Sequence, residues 1–208
     1  MNNLAYGNQQ PEKVGAQVEE KLRKELAAAA PLPYKVAQNG ASGPTAGTVL
    51  ADLAHGLFGG QANTLFTLVF DLTAPRPAQL RAVVERQGVG CHVGPLLYST
   101  PISKPVKGEA TLEGPKVFGA SKFTGDAEVC AKLNAKGDLL KRLGKLARNE
   151  AEIGGLTLKL DRLVKVTPHE NGALLVVGTL PRATSMGMDA TLDAKEFMDL
   201  AALVESAL

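Results

Sequence analysis

The sequence predicts an α+β fold, an antiparallel sheet with helices packed on one face and a C-terminal helix closing the domain. Three observations carry that expectation. Leu156, Leu158, Leu160, Val164 and Val166 alternate with Thr157, Lys159, Asp161, Lys165 and Thr167, the period-two pattern of a half-buried strand. Asn171-Gly172 then precedes the apolar run Ala173–Val177, which reads as the returning strand of a hairpin, buried on both faces. Last, Phe197, Leu200, Ala201, Val204 and Leu208 form one stripe at helical spacing. Asp193 is placed to cap that helix, and Glu196 follows three positions later to reach back.

Composition bounds the rest. A chain of 208 residues is long enough for one large domain or two small ones. Hydrophobic residues at 45% allow a core without disulfide or metal staples, but aromatics are only 4% and Trp is absent. Leu, Val and Ala must therefore build the interior, with Phe66, Phe70, Phe118, Phe123 and Phe197 as its large pieces. A net charge of +2 is too small to imply nucleic acid or an anionic membrane as an obligatory partner, which would need a local basic patch instead. Cys91 and Cys130 read as two thiols in a reducing compartment. Met1–Gln10 is polar without an apolar region, and no run reaches the ~18 apolar residues of a spanning helix. The expectation is a cytoplasmic protein with no transmembrane segment.

Taken in order, Pro11 suits a first helical position, and Val14, Val18, Leu22 and Leu26 step by four among charged residues. So narrow a stripe fits a helix docked on its own domain or paired with a partner helix. Pro31–Gly47, broken by Pro33, Asn39-Gly40 and Gly43-Pro44, reads as loop or linker. Residues 1–47 are thus expected to form an N-terminal appendage, and 48–208 the α+β domain. Thr48–Gly59 has helical apolar spacing interrupted by glycine, and core packing is favoured over contact with a partner or membrane surface.

Thr64–Leu72 (TLFTLVFDL) is a strong strand. After Pro75 and Pro77, Ala78–Gln87 places Leu80, Val83 and Val84 at helical spacing and is expected to be a helix ending at Gly88. Gly88–Pro115 reads as short strands separated by turns at Gly94-Pro95, Ser103–Pro105 and Glu113–Pro115, with Val117-Phe118 closing the sheet. Thr124–Asn149 is helical in two segments. Asp126 or Thr124 caps the first, and Gly137-Asp138 marks a break and a fresh cap. The second segment turns Leu139, Leu140, Leu143 and Leu146 inward. No internal repeat emerges.

Candidate chemistry is sparse. Gly88, Gly90 and Gly94 follow a predicted helix with the wrong spacing for a dinucleotide fingerprint, and no phosphate-loop motif occurs. Cys91 beside His92 invites a thiol nucleophile, yet neighbours on an extended strand point to opposite faces. A buried structural cysteine is the plainer reading. Asp71, at the end of a strand, is a candidate acid or base, against the commoner role of a carboxylate at a strand end as cap or turn former. His55, His92 and His169 are scattered, and neither C-x-x-C nor H-x-x-x-H occurs, so no metal site is expected and no cofactor is implied.

Lys141, Arg142, Lys145 and Arg148, helped by Lys132 and Lys136, concentrate positive charge on one helix face. That face can meet an anion or phosphate, but it lacks interleaved aromatics, and a solvated face is the simpler reading. Arg182, in the irregular stretch Thr179–Asp189, can also meet an anion. The leading expectation is a non-enzymatic binding or protein-interaction module with a protein partner or self-association; no motif names its ligand. The alternatives are a hydrolase or transferase assembled from distant residues such as Cys91, His92 or Asp71, and a weak anion or nucleic-acid binder through the basic helix.

Overall fold

A computed structural model of the chain describes residues 10–28, 33–41, 64–87, 90–94, 96–113, 121–146, 150–153, 156–159, 164–179, 182–184, 187–189 and 194–208. In chain order the elements begin with α1 (Pro11–Ala28), β1 (Tyr34–Ala41), β2 (Thr64–Leu72), β3 (Ala78–Gln87), β4 (Gly90–Val93) and β5 (Leu96–Ile102). There follow β6 (Ala110–Glu113), β7 (Lys122–Gly125), α2 (Ala127–Asn134) and α3 (Gly137–Leu146). The chain ends with β8 (Glu150–Ile153), β9 (Leu156–Lys159), β10 (Val164–His169), β11 (Gly172–Thr179), β12 (Arg182–Thr184), β13 (Gly187–Asp189) and α4 (Ala194–Ala207). The architecture is α+β with antiparallel strand pairing. Two compact units divide it: Met1–Tyr98 with Leu180–Ala194, and Ser99–Thr179 with Lys195–Leu208.

The first unit is a meander with a helix on it. β1, β2, β3 and β4 pair antiparallel in sequence order. Register places Phe66, Leu68, Phe70 and Leu72 opposite Val84, Ala82, Leu80 and Ala78, so these eight residues share one face. All eight are buried, as are Val14, Val18, Leu22 and Leu26 of α1, which packs against β1, β2 and β3. Each aliphatic side chain so buried contributes roughly 1.5–3 kcal/mol. Gly15 makes this docking possible, because a Cβ there would collide with the Phe66 ring. Outside, Glu19–Arg23 and Glu20–Lys24 pair at i,i+4 spacing.

Two sequence expectations fail in this unit. Ala78–Gln87 is strand β3, not a helix. Leu80, Val83 and Val84 fit helical spacing, but Ala78, Leu80, Ala82 and Val84 alternate equally well. On the other face Arg81 and Val83 are buried too, and the apolar run Ala82–Val84 breaks the alternation with polar residues at Val83. Pairing with β2 settles the matter, and Pro75 and Pro77 lie in the β2–β3 connection, which holds a cis Ala74–Pro75 peptide. The expected linker Pro31–Gly47 contains strand β1. Its polar sequence suits an edge strand, and a register irregularity between Val36 and Gln38 interrupts its ladder.

In the second unit, β11, β10, β6 and β7 pair antiparallel in that spatial order. The expected hairpin is present, with a loop shifted by one residue. His169 pairs with Gly172, so Glu170 and Asn171 make the turn, and Glu170 takes a positive φ of 41°. Gly172 is instead the first ladder residue, where a Cβ would strike the Ile102 carbonyl oxygen. Val164, Val166, Leu175 and Val177 share a face with Ala110, Leu112 and Phe123, all buried. The predicted long strand is divided: Leu156–Lys159 belongs to β9, which pairs with β8 as a separate two-stranded sheet.

Helix starts follow local chemistry. Asp126 caps α2, accepting the Val129 N–H at 3.0 Å. Thr124, the other candidate cap, lies in β7. Asp138 sits in the first turn of α3, inside the helix instead of capping it, where its charge still suits the helix N-terminus. The outer edge of β7 is closed by a side chain. Asn134 accepts the Phe123 N–H at 2.7 Å and donates to the Phe123 carbonyl at 2.9 Å, taking the place of a neighbouring strand. Thr48–Gly59, Val117-Phe118 and the Asp193 cap lie outside the described residues.

Candidate functional site

A groove in the second unit arises where α2 gives way to α3. The Ala135 N–H bonds Ala131 O at 3.2 Å, and the Lys136 N–H bonds Leu133 O at 3.2 Å, closing α2. The Leu140 N–H then bonds Lys136 O at 3.2 Å, opening α3 almost at once. Gly137 starts the new helix with open space where a side chain would stand, and nothing lies within 4 Å of its ideal Cβ. Leu203 and Ser206 of α4 form the opposing wall. Together with Ala135, Lys136, Asp138 and Leu139 they bound a half-open groove of about 350 Å³.

Its wall chemistry is mixed. Leu139 is buried and Leu203 half-buried, giving an apolar part of the lining, while Lys136 and Asp138 are exposed. The Ser206 hydroxyl donates to Leu203 O at 2.8 Å, which leaves its oxygen lone pairs to accept.

α4 is held in place beside this groove by its own apolar stripe and by two polar ties. Phe197, Leu200, Ala201 and Val204 are fully buried. At one end Arg142 of α3 forks onto Glu196, Nε to Oε1 at 2.8 Å and the terminal nitrogen to Oε2 at 2.7 Å. Asp199 lies 3.7 Å from the same guanidinium and 3.5 Å from Lys195. Hydrogen bonding to Glu196 is the chief reason the Arg142 pKa lies above its ordinary value. At the other end the Glu205 carboxylate accepts the Ser103 N–H at 2.8 Å and the Ser103 hydroxyl as well. Glu196, which the sequence places to reach back in a capping box with Asp193, a residue outside the described ones, pairs with Arg142.

The residues singled out from sequence are dispersed. Cys91 is a buried thiol in β4, opposite Arg86 in the β3–β4 ladder, and His92 is the next position, opposite Glu85. Asp71, in β2, accepts from Gln79 Nε2 at 2.8 Å and lies 3.8 Å from Lys35, the pattern of a cross-strand polar contact. Lys141 is exposed on α3, while the neighbouring Arg142 guanidinium is engaged with Glu196. Lys145 also belongs to α3; Arg148 lies outside the described residues. Arg182 begins β12 and pairs in register with Asp189. Burial, and after it the Asp126 carboxylate, pushes the Cys130 thiol above its ordinary value, which keeps it protonated near neutrality. Among the described residues no group of three or more His, Cys, Asp or Glu is placed to hold a metal ion.

Sequence reasoning found the helix break at Gly137-Asp138 but read it only as a cap. Leu203 and Ser206 lie off the apolar stripe of α4, and no local pattern marks them as facing that break. No family model matches the chain, and no curated protein or solved structure matches it.

Proposed function

We propose that this protein is a non-enzymatic binding or interaction module whose ligand-facing surface is the groove between the α2–α3 junction and α4. The observation that carries this reading is the groove's composition. Apolar Ala135, Leu139 and Leu203 share the lining with one cation, one carboxylate and one hydroxyl, from Lys136, Asp138 and Ser206. A half-open groove of about 350 Å³ is at the small end of the volumes that receive a small ligand or a side chain of a bound segment. The setting we propose is cytoplasmic, with a protein partner or a second copy of the chain as the wider context. Among the described residues no helix is long and apolar enough to cross a membrane.

Gly137 offers a direct test, since nothing lies within 4 Å of a Cβ placed there and a side chain would begin in open space. Native mass spectrometry would compare wild-type protein, purified gently from its own cells, with Gly137→Phe. The expected result is a bound mass retained by the wild type and lost from the variant, at unchanged melting temperature. A wild type that carries nothing, or a variant that retains the same mass, would overturn the assignment of the groove.

A further inference from the structure

We draw no further inference here: the strongest candidate, the outer edge of strand β1 in the first unit, has no pairing strand among the described residues, and nothing in the structure shows what covers it.

Discussion

α1 and α4 are both amphipathic helices with fully buried stripes, yet they are positioned by different physics. In α1, Val14, Val18, Leu22 and Leu26 repeat every four residues and reach the β2–β3 face because Gly15 leaves room for Phe66. Between α1 and β1, Arg23 donates to the Tyr34 hydroxyl at 3.4 Å and lies 5.8 Å from the centre of that ring. In α4, apolar burial is joined by a two-bonded arginine fork near one end and a carboxylate clasp near the other. Apolar burial is non-directional and tolerates rotation or sliding. The polar ties of α4 fix its register, and α1 depends on shape for the same purpose.

The largest expected effects come from emptying either stripe. Phe197→Ala should cost about 3–5 kcal/mol and Leu22→Ala about 2–5 kcal/mol, from lost transfer energy and residual cavity. Denaturant unfolding read together with hydrogen exchange would locate each loss to α4 or α1. A cost under about 1 kcal/mol for either would contradict its complete burial.

Shape dependence in α1 is sharpened by Gly15→Ala. Helix propensity alone gains about 1 kcal/mol from this change. Crowding against Phe66 should outweigh it and leave a net loss of about 1–2 kcal/mol. Adding Phe66→Leu to Gly15→Ala should then recover part of the loss, as a double-mutant cycle would measure. A Gly15→Ala variant more stable than wild type would show that α1 does not approach β2 so closely.

Weaker still is the fork on α4. Arg142 and Glu196 side chains retain 35% and 28% of their exposure, so solvent screens the pair and Arg142→Lys should cost only about 0.5–1 kcal/mol. That difference should shrink in 1 M salt, where screening shortens to about 3 Å. A salt-independent difference would assign it to packing of the arginine stem.

The smallest effect concerns pH. Lys132, then Lys107, hydrogen-bond the Glu128 carboxylate and hold its pKa below the usual carboxylate value. A depressed folded-state pKa contributes stability above the unfolded-state pKa that is lost as pH falls through the folded value. Glu128→Gln should therefore flatten stability slightly between neutral pH and the carboxylate range, and an NMR titration of Glu128 should place its midpoint below that of an exposed glutamate. A midpoint at or above the ordinary value would remove the pair from solution.

Much of the fold is legible from the spacing or continuity of apolar residues. The stripes of α1 and α4 and strand β10 show a period of burial, β2 and β11 show continuous apolar runs buried on both faces, and α2 shows its Asp126 cap. In Ala78–Gln87 the apolar run Ala82–Val84 interrupts the alternation and fits helical spacing as well, so only pairing with β2 selects the strand. β1 was hidden because an edge strand can be polar, short and interrupted while its partner supplies the apolar side. The candidate groove was half visible: Gly137-Asp138 marks a break in any reading, but Leu203 and Ser206 become its wall only through folding.

By itself, then, the sequence determined which segments must hide an apolar face and where helices can begin, because those follow from side-chain spacing and local hydrogen bonding. Tertiary structure decided that Ala78–Gln87 pairs with β2 and that Asn134 closes the edge at Phe123. It also decided that Arg142 meets Glu196 and that a groove opens beside α4. These contacts join residues distant in the chain, where register and close packing choose among local conformations of similar energy.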